Sequence, residues 1–432
     1  MLDGADALDP GGSSLESVML DDDGAAAAAE GCDMAEVLVL GGTGGVGEVA
    51  CRALATAAEV DTLVVADQDA EAADTLATQL RRTASGRVRH LGVDIGDPTA
   101  LRAAMADADL VVNCAGPFYR YGPPTLQAAI EAGVDYLDVC DDLEPTQRML
   151  ALDAMARAAG VRALVGMGNS PGVSNLLARL CADTLLDQVE SVDIAHVHGG
   201  EPDEGAAVIA HRIHAMTHDV PLFVDGAFVT VRQLEPSGQA FEQEVDFRDV
   251  GQVRAFPYPH PETVTLPVHL PGVRRVTNLG TIVPLPYFQL TQRLVAAGLP
   301  DVDVDDVTAR LQAARPGLLA SAGLSGPVGC LRVEVGGSKD GEPHRYVFSL
   351  SSRAAGAGEG TGVPAAAGAV LMLRGQAGAP GVLPPEATVD PGAFLAVAFD
   401  LLGRISDGVD GGASLVVLHV RPDGTVEELP VG

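Results

Sequence analysis

The sequence predicts an α/β protein built on a doubly wound parallel sheet, with an inserted α+β domain that contains a mixed sheet. Three observations predict it. The apolar run Val37–Leu40 leads directly into Gly42-x-Gly44-x-x-Gly47 and then a helix-like stretch from Glu48 to Ala58. This is the strand–turn–helix context of a dinucleotide fingerprint. Short apolar strands and helices then alternate as far as Gly166, the rhythm of βαβ units in a Rossmann domain. Beyond Asn175 that rhythm gives way to strand segments separated by turn residues.

Each element has its own signal. Residues 1–34 hold Gly, Asp, Ser and an Ala run, the composition of a disordered or loosely helical tail. Val37–Leu40 is the first strand, Thr62–Ala66 (ending at Asp67) the second, and Val88–Val93 the third. A helix over Thr99–Ala106 leads to a fourth strand, Leu110–Asn113. Thr125–Ala132 is a helix that Gly133 stops, Tyr136–Val139 a fifth strand, Glu144–Ala159 a helix stopped by Gly160, and Ala163–Gly166 a sixth strand. Gly168-Asn-Ser-Pro-Gly-Val-Ser-Asn175 opens a helix to about Leu185. Strand-like segments follow at Ser191–Val197, Ala227–Arg232, Glu242–Phe247 and Val264–Pro267. Leu331–Val335 and Tyr346–Ser351 make a hairpin around Asp340-Gly341. Residues 354–362 read as a Gly/Ala loop, and Val363–Leu373 as an apolar helix with Pro364 in its first turn. Phe394–Leu402 is another helix, and Leu415–Val420 with Thr425–Leu429 a closing hairpin around Pro422-Asp-Gly424. The expected division is a tail (1–34), a Rossmann domain (35–170), a substrate and dimerisation domain (171–353), and a C-terminal segment (354–432) that returns to the first domain.

Composition narrows the function classes. A chain of 432 residues with 47% apolar residues supports two real cores. It holds no apolar run long enough to span a bilayer, and no basic-then-apolar secretory signal at its start. The six cysteines are dispersed, with no CxxC pair, which argues for a reducing cytoplasm rather than a disulfide framework. A net charge of −32 repels nucleic acid and anionic membranes. Lys339 is the sole lysine and sits at the expected hairpin tip, a poor place for a Schiff base.

The candidate site follows the carboxyl edge of the sheet, where open α/β proteins bind ligands. Gly42, Thr43, Gly44, Gly45, Val46 and Gly47 form the phosphate loop. The first Gly of the fingerprint makes the turn, the second lets backbone approach pyrophosphate, and the third lets helix and strand pack closely. Asp67, at the end of the second strand, is placed to accept the ribose hydroxyls and repel a 2′-phosphate, so NAD is expected over NADP. Asp94 and Ile95 are adenine candidates, Asp94 alternatively a helix cap. Asn113, Ala115, Gly116 and Pro117 are placed to lie along ribose and nicotinamide, with Phe118 and Tyr119 next, on the substrate side. Arg120 is either a carboxylate fork or a surface arginine. Cys140 reads as site lining; its acidic neighbours disfavour a reactive thiolate. Ser170 and Asn175 open a helix whose free N–H groups suit a substrate carboxylate, or simply cap it. His211, His214 and His218 share one helical face, with His196 and His198 on a strand pattern nearby. His211 and His214 are candidate proton donors or substrate ligands, against the alternative of ordinary polar histidines. A metal is not expected, because no acidic partner has a fixed spacing to them.

Several of these stretches together resemble the saccharopine dehydrogenase-like family, of which saccharopine reductases and carboxynorspermidine dehydrogenases are members. The matching pieces are Gly41-Gly-Thr-Gly-Gly-Val-Gly47, Asn113-Cys-Ala-Gly-Pro-Phe118, Tyr136-Leu-Asp-Val-Cys140, Gly168-Asn-Ser-Pro-Gly-Val-Ser-Asn175, Thr361-Gly-Val-Pro-Ala-Ala366 and Gly381-Val-Leu-Pro-Pro385. The resemblance implies an NAD-dependent oxidoreductase acting on a C–N bond, with an amino acid, amine or keto acid as substrate, and a homodimer. His211, His214 and Arg120 are the expected catalytic groups. The alternatives are a carbonyl or enoyl reductase of secondary metabolism, a homospermidine-synthase-like transferase that keeps its NAD bound, and a redox-sensing binding protein without turnover.

Overall fold

A strand covered by helices on both faces must be apolar throughout, not alternately. Val37, Leu38, Val39 and Leu40 are each at most 1% exposed. The structure, a computed structural model, describes residues 35–352, 356–406 and 414–430; the expected N-terminal tail lies outside the described residues. The first six strands are β1 (Glu36–Leu40), β2 (Thr62–Asp67), β3 (Arg87–Gly92), β4 (Leu110–Asn113), β5 (Asp135–Asp138) and β6 (Arg162–Leu164). Among the described residues they form one parallel sheet in the order β3-β2-β1-β4-β5-β6, and a late strand, Gly381–Leu383, adds beside β6 as the seventh. The register aligns Leu40 with Ala66 and with Asn113, and Asn113 with Asp138. The glycine loop and the segments after β4, β5 and β6 therefore share one edge. The connecting helices are α1 (Gly45–Thr56), α2 (Ala70–Leu80), α3 (Pro98–Ala104), α4 (Phe118–Ala132), α5 (Leu143–Leu150) and α6 (Asp153–Ala159).

The second sheet is mixed. Its strands are β7 (Gln188–Gly199), β8 (Val220–Val224), β9 (Ala227–Val231), β10 (Gln243–Phe247), β11 (Gly251–Pro257), β12 (Arg275–Val283), β13 (Val328–Lys339) and β14 (Glu342–Ser352), then, after β15 (Gly381–Leu383) of the first sheet, β16 (Ser414–Val420) and β17 (Val426–Leu429). The order is β10-β11-β12-β7-β13-β14-β16-β17, with β8 on β12 and β9 on β8. β12 and β7 run parallel; the other pairs are antiparallel. The β13–β14 hairpin turns on Asp340 and Gly341, both at positive φ (53° and 79°), as its sequence predicts. The helices of eight residues or more here are α7 (Val173–Leu180), α8 (Ala206–Thr217), α9 (Glu262–His269), α10 (Leu285–Gly298), α11 (Val304–Ala322), α12 (Gly356–Leu373) and α13 (Pro391–Ile405).

Helix α12 brings the chain back to the first sheet. A Cβ on Gly362 would lie 2.7 Å from the Val46 carbonyl oxygen, so glycine is what lets α12 lie against α1. Val363, Val370, Leu371 and Met372 are at most 5% exposed, each burial contributing about 1.5–3 kcal/mol.

Four expectations are corrected. Val264–Pro267 is not a strand but part of α9. Its β-branched residues suggest a strand, but Glu262, Thr263, Thr265 and Leu266 are all buried in the helix, and tertiary packing overrides propensity. The helix expected over 144–159 breaks at Ala151–Leu152 into α5 and α6. The Gly/Ala stretch is helical from Gly356, so Pro364 lies inside α12 instead of in its first turn; residues 354–355 lie outside the described residues. Finally, the left-handed residue of the phosphate loop is Gly41 (φ +72°), one place before the residue expected to make the turn.

Candidate active site

The glycine loop has the stereochemistry of a cofactor cradle. A Cβ on Gly47 would land on the Gly41 carbonyl oxygen, so that position serves close packing. One on Gly45 would meet no atom within 4 Å, and one on Gly44 only the Gly41 oxygen at 3.4 Å. The open space therefore lies where pyrophosphate is expected. Gly44 is the N-cap of α1 and offers no side chain to it, leaving N–H groups for an anion. Asp67 stands beside the loop and accepts from the Thr43 N–H (3.1 Å) and hydroxyl (2.6 Å). A cleft of about 400 Å³ next to Thr43 is rimmed by Glu48, Asp69 and Glu71. Arg52 pairs with Glu48 at 2.6 Å in an exposed ion pair and is not among the residues that line the cleft. Asp94 is exposed and accepts from Gly96 N–H at 2.7 Å, while the cap of α3 is Asp97. Ile95 is half-buried at the same edge.

Past β4 the backbone does what the side chains do not. Asn113 is fully buried; its amide donates to the Tyr136 hydroxyl (3.0 Å) and its carbonyl accepts from Ala115 N–H (3.0 Å). It shapes the Ala115-Gly116-Pro117 turn from beneath. Tyr136 in turn donates to Asp138, whose other oxygen accepts from Cys140 and Gly166 N–H. That network ties the ends of β4, β5 and β6 together. Phe118 is a core residue, 8% exposed. Arg120 is exposed, its guanidinium 4.9 Å over the Tyr121 ring. Cys140 is fully buried, and burial, then Asp138, pushes its thiol well above its usual range.

A cavity of about 420 Å³ lies between the start of α5 in the first domain and α8, β8 and β9 of the second, lined by residues that include Asp142, Glu144, His214, His218, Asp219 and Pro259. His211 donates from Nδ1 to Asp142 at 2.8 Å, and its Nε2 lies 3.8 Å from Asp141. Asp142 begins α5 without capping it, because its carboxylate is taken by His211. Burial alone would lower the His211 pKa, but Asp141 and Asp142 outweigh it and push it up to about 9. His211 is therefore an imidazolium at neutral pH. His214 differs. It stacks between Tyr119 (5.1 Å) and His218 (3.7 Å), and burial, then His218, lowers its pKa. The acidic partners missing from the sequence spacing thus come from the end of β5. Asp141, Asp142 and His211 bring ligand-type atoms within 4.8 Å of one another, a grouping that the ion pair itself explains.

The segment after β6 is more closed than expected. The first N–H groups of α7 are spent within the chain: Gly172 on Asn175 Oδ1, Val173 on Gly168 and Ser174 on Asn169. These three N–H groups are therefore not free for a substrate carboxylate. Asn175 is fully buried and donates to Glu386 at 2.8 Å. Burial pushes Glu386 up to about 7. Ser170 donates to Glu262, which is itself fully buried. Tyr258, His260, Glu262 and Asn278 line this junction and were not singled out from the sequence. The only local signal for them was two aromatic rings among prolines over 257–261.

A Rossmann sheet with an open glycine loop, joined across a cavity to a mixed-sheet domain, defines an NAD(P)-dependent oxidoreductase. Residues 37–164 match the family described as "Saccharopine dehydrogenase NADP binding domain". The chain is 25% identical over 395 residues to carboxyaminopropylagmatine dehydrogenase of Synechocystis sp., covering 84% of this chain and 95% of that one. It is 23% identical over 317 residues to carboxynorspermidine synthase of Vibrio cholerae, covering 66% and 74%. The fold matches apo saccharopine dehydrogenase (L-Glu forming) of Saccharomyces cerevisiae with a TM-score of 0.58 at 16% identity, over 88% of this chain and all of that one. Residues 37–164 thus carry a saccharopine dehydrogenase-type NADP-binding domain, and the chain as a whole is similar to saccharopine dehydrogenase-like oxidoreductases.

Proposed function

We propose that the protein is an NAD-dependent oxidoreductase that joins an amine or amino acid to a carbonyl compound by imine formation and reduction, or runs the reverse. The observation that carries this reading is the His211–Asp142 pair. It brings a charged proton donor to the sheet edge that also carries the glycine loop. The bound nicotinamide would supply a hydride. The chain's own residues hold the loop open, present the backbone of Ala115 to Pro117, and keep a proton on His211 for an oxygen that must leave as water. The names of the two relatives put agmatine- and norspermidine-like amines first as substrates. The reading includes a homodimer in a reducing cytoplasm.

Turnover is tested by following NADH oxidation with pairs of amines and oxo acids or semialdehydes. Absorbance should fall only when both partners are present. Oxidation with an enoyl or simple carbonyl compound alone would overturn the reading.

NAD is preferred in this reading because the described residues that rim the cleft beside Asp67 include Glu48, Asp69 and Glu71 and no arginine or lysine. The wild type should bind NADH more tightly than NADPH in a fluorescence titration. Asp67→Ser with Gln68→Arg should move the preference toward NADPH, since a guanidinium pairs with a 2′-phosphate. A wild type that favours NADPH would remove this assignment.

A further inference from the structure

Glu262 is fully buried and carries hydrogen bonds out of proportion to a packing role. One carboxylate oxygen, Oε1, accepts from Ser170, from Ser174 (2.8 Å) and from Asn278 (3.3 Å), donors from both sides of the junction. The other, Oε2, is buried, makes no hydrogen bond, and lies 3.6 Å from Nδ1 of His260. Burying a carboxylate costs several kcal/mol unless a charge or donors answer it. Here burial would raise its pKa, but His260 and Ser170 outweigh that and hold it below the usual range. His260 is also built into place. It stacks on His196 (4.8 Å) and meets the edge of Tyr258 (5.4 Å), and the Tyr258 ring lies 6.2 Å from that of His211. A Cβ on Gly280 would lie 2.5 Å from the His196 ring and 2.9 Å from Tyr258, so glycine makes the room for this stack. Pro259, the residue before His260, lines the cavity, and His260 is near enough to act on the charge of Asp142.

We propose that Glu262 is a positioning residue for proton transfer at this junction: it fixes Nδ1 of His260 as the protonated nitrogen and leaves Nε2 to exchange a proton with the reacting nitrogen. Which imidazole nitrogen carries the proton is set by what the other one faces. The assignment of a reacting nitrogen rests on the C–N oxidoreductase reading; the tautomer of His260 does not. When an amine adds to a carbonyl carbon, the C–N bond forms and the C=O π pair moves to oxygen. Nε2 of His260 takes the proton from the new ammonium nitrogen and returns it to that oxygen. A second proton, from His211, lets the oxygen leave as water while the nitrogen lone pair closes the C=N bond. The groups facing His260 are His196, Tyr258, Ser170, Glu262 and Asp142.

Glu262→Gln keeps the size and the acceptor for Ser174 but turns a donor toward Nδ1. In ¹⁵N-histidine spectra of the full chain, with His260 assigned by loss of its signals in His260→Gln, the wild type should show the Nδ1–H form. Glu262→Gln should switch it to Nε2–H. Turnover should fall about tenfold or more with NADH affinity unchanged, the acid limb of the pH–rate profile should move, and Glu262→Asp should recover part of the rate. A variant that loses thermal stability but keeps the wild-type tautomer and pH profile would overturn the proposal and leave Glu262 a structural group. If no amine–carbonyl pair turns over, the oxidoreductase reading fails separately, and an unswitched tautomer would still overturn the positioning role.

Discussion

Replacing His211 by Gln should lower the rate of C–N bond formation about 10²-fold or more, the usual share of a positioned general acid. The wild-type imidazolium is held by Asp142 at 2.8 Å, and its pKa of about 9 keeps it protonated through neutral pH. The wild-type rate should therefore fall as pH rises through about 9, and the variant should lack that limb. Gln is the informative substitution. Asp142 has a side chain only 7% exposed, and an apolar residue opposite it would strand a buried carboxylate, a loss that would mix stability with rate. Gln still donates to it. The sign for stability is fixed by the same shift. The folded pKa lies above the unfolded value, so the contribution of His211 is fully present below about pH 6.5. It is lost as pH rises through about 9. Thermal melts of wild type and variant should converge at the alkaline end. An unchanged rate in the variant, with a known substrate pair, would make His211 an ordinary junction residue.

Gly44→Val should reduce NADH affinity well over tenfold, a loss above about 1.4 kcal/mol, with the fold intact. Gly44 is extended (φ −69°, ψ 161°), a conformation valine adopts freely. Its Cβ would meet only the Gly41 oxygen, at 3.4 Å, so the added bulk enters the space kept for pyrophosphate. Gly47 makes the contrast, since any side chain there collides with Gly41 and should unfold the loop. Titration of NADH fluorescence beside a circular dichroism melt separates the two. Unchanged affinity in Gly44→Val would remove the cofactor assignment.

Elements governed by local chemistry were legible. The strand Val37–Leu40, the open glycines and the Asp340-Gly341 hairpin each carry their cause within a few residues. β12 was not legible. Arg275–Val283 contains Asn278 and Gly280, which read as breaks, yet it is a central strand beside β7. Gly280 is there because His196 and Tyr258 need its missing Cβ, a fact set by a neighbouring strand and loop. Glu262 was hidden the same way, two residues before Val264–Pro267, the stretch that reads as a strand. The pairing of His211 with Asp142 joins α8 to the end of β5, and no spacing in the sequence foretells it.

Hydride transfer to the carbon that bears nitrogen is the centre of the account, and isotope transfer measures it directly. Wild-type protein, an amine, an oxo acid and NADH carrying deuterium at C4 on the transferred face should give a product one mass unit heavier. Fragmentation should place that deuterium on the carbon bonded to nitrogen. Deuterium on a carbon with no nitrogen attached, or NADH consumed without a new C–N bond, would contradict it.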